Sequence, residues 1–368
     1  MPLSPNSLAF LEQLLKLRTT NEPANRSEHD ACRELCAKEA ARRGLKSKIL
    51  GPDAAPSILV GARPESKTPA VLLTAHLDVV PAARPEQYEM KVAGGKLIAR
   101  GASDMKFAAP LYFDVLEALE PHLRARVLVA FTFDEEVGGS QGTKWLIDEH
   151  GLRPQVCFLP DGGDNFQIES DEKGVLQFRV RTTGKSAHGS RPWLGENAID
   201  KLLAVYADLR KAFPVVEKPE WVCTLNFGKM TAGTAANAVP EAAEALLDIR
   251  FTEEYKLAHM IGRVEGIVAG RAEATPLVAG DNFHLDRQSK FCAWLQEAAR
   301  KHRNGQELPY YRSEGASDAR YMAKYDIPVV MTKPTCAGHH SADEWMDLAS
   351  LEPYTAMLMD FVRKAASA

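Results

Sequence analysis

The chain has 368 residues, 45% hydrophobic and 26% charged, the balance of a soluble globular protein too long for one core of usual size. Its formal net charge of −4 gives no electrostatic reason to expect nucleic acid or an anionic membrane as a partner. Six scattered cysteines (Cys32, Cys36, Cys157, Cys223, Cys292 and Cys336) lack the paired spacing of a disulfide framework, and a reducing cytoplasm is the expected setting.

In chain order, Ser7–Lys16 reads S-L-A-F-L-E-Q-L-L-K, an amphipathic helix with Ser7 as a candidate N-cap; neither a signal peptide nor a run of the ~20 apolar residues needed to span a bilayer is expected. Glu28–Arg43 predicts a helix ending near Gly44. Val71–Thr74, Val127–Phe133 and Val156–Leu159 are short apolar runs of the kind that form buried parallel strands. A long apolar-faced helix is expected over Asp104–Leu119, where Pro110 requires a kink or a late start, and a short one over Thr143–Glu149. This is α/β texture, a mostly parallel sheet between helices.

From Val175 the pattern changes. Val175–Thr182 alternates apolar and polar residues, the mark of a half-exposed strand on an open face or edge. A helix over Asn197–Lys211 follows, then strands at Val222–Phe227 and Ala243–Phe251, a helix over Glu254–Ala269 and a strand near Thr275–Val278. The β-α-β-β-α-β order is that of a ferredoxin-like α+β unit. After Phe283 the α/β texture returns, with helices at Ser289–His302, Ala316–Lys324 and Leu351–Ala366 and a strand at Ile327–Thr332. The expected organisation is a catalytic domain of residues 1–174 and 284–368, interrupted by a lid or dimerisation domain of residues 175–283.

Five segments carry metal-binding side chains: A-H-L-D-V-V-P around His76 and Asp78, R-G-A-S-D-M-K around Asp104, F-D-E-E-V-G-G around Glu135 and Glu136, L-P-D-G-G around Asp161, and A-G-H-H-S-A-D-E-W around His340. In open α/β sheets, ligands bind beyond the carboxyl ends of the strands, where most of these residues fall. Imidazoles with carboxylates suit zinc, whereas carboxylates alone would favour magnesium or calcium. Taken singly, each has an ordinary explanation: a packed histidine, a helix cap at Asp104, a solvated pair at Glu135–Glu136, a turn aspartate at Asp161. Their joint occurrence after apolar runs points to a metal-dependent hydrolase. Asp78, two residues after His76, is placed to orient that imidazole.

Together these segments resemble the co-catalytic zinc family of aminoacylase, acetylornithine deacetylase, succinyl-diaminopimelate desuccinylase and carboxypeptidase G, from about Pro69 to Trp345. The family's H-x-D-x-V-P, G-x-x-D-M-K, D-E-E-x-G-G and H-x-x-D-E elements are all present. The resemblance implies two zinc ions bridged by Asp104, one also bound by His76 and Asp161, the other by Glu136 and His340. His339 is the alternative to His340, which the spacing to the D-E pair favours. A cis peptide after Asp104 and a general-base role for Glu135 are implied too, with cobalt or manganese as other candidate metals.

In the inserted region, H-G-S-R-P-W-L-G-E-N-A resembles a family element implying that His188 stabilises the oxyanion, in dimeric members from the partner subunit. Asn237, Arg250 and Ser317 resemble substrate-contacting positions. A guanidinium suits a substrate carboxylate, but Arg250 reads equally as a strand-end salt bridge, and Asp318 as a helix cap. Asp161, where many deacylases have glutamate, and Ala316, where desuccinylases commonly have threonine, lean towards small peptides as substrate. The S-D-A-R loop leans towards N-acyl-amino acids. A homodimer is expected.

Overall fold

The computed structural model describes residues 4–213 and 215–368. The apolar runs assemble into a six-stranded sheet in the order Lys46–Leu50, Ser57–Gly61, Val127–Thr132, Val71–His76, Val156–Phe158 and Val329–Val330. The last four strands run parallel, and the first two add antiparallel. Every residue of Val71–His76 and Val127–Thr132 is buried. That is why these strands read as unbroken apolar runs: a parallel strand covered on both faces has no solvent side to mark.

The hairpin Lys46–Leu50/Ser57–Gly61 gives a weak signal in the sequence because its first strand, K-S-K-I-L, is largely exposed. Pro110 starts its helix late: the helix spans Ala108–Ala118, so the proline lies in the first turn, where the missing N–H leaves no bond unmade. The N-terminal helix spans Pro5–Lys16 and is capped by Ser4, not Ser7. Ser4 Oγ accepts from Ser7 N at 3.1 Å, Pro5 occupies the first helical position, and the Ser7 hydroxyl donates to Asp114 instead.

The chain divides into two compact units. One holds the residues up to Ser170 with Leu285–Arg312 and Ser317–Ala368; the other holds Asp171–His284 with Ser313–Ala316. The second unit is an antiparallel sheet ordered Thr224–Ala232, Ala242–Phe251, Gly174–Thr183, Glu273–Gly280, with helices Ala198–Ala212 and Leu257–Val268. Phe178, Val180, Leu202, Leu247, Phe251 and Val264 belong to its own core. Gly174–Thr183 is an interior strand, so its alternation marks one open face and not an edge; the edges are Thr224–Ala232 and Glu273–Gly280. Among the described residues, no helix is long and apolar enough to cross a membrane.

Candidate metal centre

The parallel strands deliver the site. His76 is the last residue of its strand; Glu135 and Glu136 form a tight turn three residues after Val127–Thr132, and Asp161 follows Val156–Phe158 by three. Gly163, at φ +73°, makes the turn after Asp161 possible. A Cβ there would meet Gln167 O at 2.4 Å and Met331 O at 2.8 Å. His340 departs from the strand-end expectation: it lies beyond the short Cys336–Ala337 strand, well past Val329–Val330, and adopts φ +59°. The Asp104–Met105 peptide is cis.

These elements bring two donor triads together, His76/Asp104/Asp161 and Asp104/Glu136/His340, within each of which the donor atoms lie within 4.8 Å of one another. Asp104 belongs to both, and it presents one oxygen to each. Its Oδ1 is 3.2 Å from His76 Nε2 and its Oδ2 is 3.1 Å from His340 Nε2. His76 Nε2 also faces Asp161 Oδ1 at 3.6 Å, and His340 Nε2 faces Glu136 Oε2 at 3.2 Å. Two imidazoles and three carboxylates with a shared bridging acid are the donors that a pair of zinc-like ions needs. The adjacent histidines separate here: His340 turns to Asp104 and Glu136, while His339 pairs with Asp164 at 2.7 Å.

Asp78 braces both halves of the site. The backbone carbonyl of Asp78 lies 3.1 Å from His76 Nδ1, and its carboxylate is 3.5 Å from that nitrogen. The same carboxylate accepts from Glu135 N (3.3 Å), Glu136 N (3.0 Å) and Asn21 Nδ2 (2.7 Å). Asp78→Ala is therefore expected to weaken divalent-metal affinity by about 10–100-fold, measured by competition with a chelator.

Glu344, Lys333 and Asn21 complete the surroundings and were not singled out individually in the sequence. Buried Glu344 accepts from Arg100 Nη1 (2.7 Å) and from the backbone N–H groups of Gly101, Ser103 and Asp104, fixing the segment that presents the bridging acid. The D-E pair near His340 was its only sequence signal. Lys333 Nζ, buried, lies 3.7 Å from both Asp104 and Asp161, a fixed positive charge beside the ligands. It stands immediately after the apolar Ile327–Thr332 run, and nothing in that pattern distinguishes it from a surface lysine.

The charges respond accordingly. Burial alone would raise Asp104, but Lys333, His340 and His76 outweigh it and hold the carboxyl well below its ordinary range. Burial would lower His76, yet its contacts with Asp104, Asp161 and Asp78 raise it well above the usual imidazole value. His340 is raised to about 10 by hydrogen bonds to Asp104 and Glu136. Glu135 is pushed well up by burial and by Asp161.

A histidine whose folded value exceeds its unfolded value of about 6.5 contributes stability that is complete below pH ~6.5 and is lost as pH rises through the folded value. For His340 that window closes at about 10. The metal-free protein is expected to lose thermal stability between these limits. The metal-loaded protein, whose imidazoles ligate in the neutral form, should not lose this contribution there. Thermal unfolding across the interval, with and without metal, measures the difference.

The remaining candidates are divided between the two units. His188 is exposed in the second unit, its Nδ1 2.8 Å from Ser190 Oγ, and its loop sits against that of Asn237, whose carbonyl accepts from Gly189 N at 2.7 Å. Arg250 makes two hydrogen bonds to Asp248, at 2.9 and 3.2 Å. Ser317, in the first unit, is buried; its Oγ accepts from Ala319 N and donates to Met331 Sδ. Asp318 makes no side-chain cap to the Ala319–Ala323 helix and is a buried acid packed near Gly139.

An α/β unit with a shared aspartate between two His-carboxylate triads defines the class of a metal-dependent hydrolase. Residues 72–364 match the model of peptidase family M20/M25/M40, and the chain belongs to that family, whose members hydrolyse amide bonds. It is 28% identical over 356 residues to a succinyl-diaminopimelate desuccinylase of Gluconacetobacter diazotrophicus, covering 88% of this chain and 90% of that protein. It is 32% identical over 240 residues to a probable carboxypeptidase of Emericella nidulans, covering 59% of this chain and about half, 54%, of the relative. The fold matches an M20 family metallo-carboxypeptidase of Sulfolobus solfataricus with a TM-score of 0.80, 17% identity and coverage of 99% and 100%.

Proposed function

We propose that this protein is a small-peptide hydrolase with two zinc ions, one held by His76, Asp104 and Asp161, the other by Asp104, Glu136 and His340. The observation that carries the proposal is the bidirectional placement of Asp104, one oxygen towards each histidine. Bound by these residues, two such ions would supply polarisation of a scissile carbonyl and a lowered pKa for an attacking water. Glu135 adjoins ligand Glu136 without belonging to either triad, and its raised proton affinity suits a general base. It takes the proton of the water and returns it to the leaving nitrogen. Asp78 is a positioning residue that holds His76 and the backbone of Glu135 and Glu136.

His188 is assigned to stabilising the oxyanion, acting from the partner subunit of a homodimer, with Asn237, Arg250 and Ser317 contacting substrate. Cobalt or manganese would support the same chemistry, and the cytoplasm is the proposed location. Asp161 and Ala316 favour peptides, as does similarity to proteins named carboxypeptidases. The long match to a desuccinylase and the G-A-S-D-A-R loop favour the second reading, an N-acyl-amino-acid deacylase. A panel of dipeptides beside N-acetyl and N-succinyl amino acids separates them. Highest kcat/KM on a dipeptide is expected; release of succinate alone would overturn the peptide assignment.

A further inference from the structure

We infer that Asp164, Cys336 and His339 form a third divalent-cation site, distinct from the Asp104-bridged pair and suited to a thiophilic ion such as zinc or cadmium. The three donor atoms lie within 4.8 Å of one another, the same convergence that defines the two triads of the proposed centre. His339 Nε2 is 2.7 Å from Asp164 Oδ2 and 3.8 Å from Cys336 Sγ. A tetrahedral ion ~2.0 Å from nitrogen and ~2.3 Å from sulfur holds those two atoms ~3.5 Å apart, close to the spacing present. The Asp164–His339 hydrogen bond and the thiol's contacts with His339 and Asp164 would open to admit the ion.

The arrangement does not suit the other use of a cysteine, a histidine and an acid, nucleophilic catalysis. That relay needs the thiol and the carboxylate on opposite ring nitrogens, so that one proton can pass through the imidazole. Here both face Nε2, and Nδ1 points to Ser103 Oγ at 3.4 Å. A ligating histidine has this environment, its second nitrogen held by a hydrogen-bonding neighbour. Ser103 is itself fixed by Glu344, which accepts from its backbone N–H at 2.8 Å. Cys336 is anchored by its N–H on Asn165 Oδ1 and by pairing with Met346.

Charge and access also fit. On binding, the thiol releases its proton to solvent and the thiolate sulfur bonds the ion; with the Asp164 carboxylate this supplies two negative charges for one divalent cation. Cys336 is buried, whereas the side chains of Asp164 and His339 are 36% and 27% exposed, leaving a path for the ion and room for water as a fourth ligand. The nearby Lys333 ammonium and the need to ionise a buried thiol make this site weaker than the bridged pair.

The test is a cobalt(II) titration of the metal-free protein, followed by absorption. Cobalt bound by imidazole and carboxylate gives only weak visible bands, whereas a thiolate ligand adds a strong near-ultraviolet charge-transfer band. The expected result is a third equivalent accompanied by that band. Cys336→Ser should abolish the band and the third equivalent while keeping the first two. His339→Ala and Asp164→Asn, at partly exposed positions, should weaken the third equivalent and guard against a folding defect in the serine variant. No thiolate band at any loading, or a band that survives in Cys336→Ser, overturns the third site. Absence of the weak visible bands would instead contradict the two-ion centre, so the two readings fail separately.

Discussion

Glu135→Ala is expected to lower kcat by about 10²–10⁴-fold while the protein retains both metal ions. The size follows from the role. Glu135 stands in neither donor triad, so removing it leaves every proposed ligand in place while taking away the carboxylate beside Glu136. Asp78 is committed to the backbone of the Glu135–Glu136 turn. Steady-state kinetics with metal analysis on the same preparation checks the prediction. Activity near that of the unaltered protein, or loss of metal in parallel with activity, would move Glu135 out of the general-base role.

Asp104→Ala is the second large effect, and it differs in kind. Each of the other four proposed ligands would serve one ion, whereas Asp104 faces both histidines. Its removal is expected to release both ions together, whereas Asp161→Ala and Glu136→Ala should each chiefly weaken one. The alanine also leaves Lys333 facing Asp161 with one acid fewer to offset it, which further disfavours a cation there. Metal content after dialysis, compared across the three variants, provides the measure. Because bound metal stabilises the folded state by mass action, Asp104→Ala should also lose most of the rise in melting temperature that added zinc is expected to give the unaltered protein. Retention in that variant of about one tightly held ion that Cys336→Ser does not remove would contradict a shared ligand.

The sequence carried most of the framework because its signals were local and strongly periodic. Buried strands such as Val71–His76 announce themselves as unbroken apolar runs, and ligands at or just beyond their ends follow from the topology of parallel sheets. The second unit was equally readable, since an antiparallel sheet covered on one face must alternate. What escaped was non-local or weakly patterned. The exposed Lys46–Leu50 strand has no apolar stripe, and the capping of the first helix moved to Ser4 because Ser7 is engaged by Asp114, more than a hundred residues away. His340 reaches the centre through a left-handed turn that strand-end reasoning does not anticipate. Lys333 and Glu344 act through contacts with residues far along the chain, which no local spacing reveals. The two adjacent histidines were separable only as a preference. The direction of each ring settles which one faces Asp104.

Anomalous diffraction at the zinc edge, from crystals grown with zinc, tests the central claim most directly. The account predicts a pair of peaks about 3.5–4 Å apart, one on each side of the Asp104 carboxylate, with His76 and Asp161 on the first and Glu136 and His340 on the second; a further peak at Asp164, Cys336 and His339 would belong to the separate third site. A single peak at Asp104, or none, would contradict it.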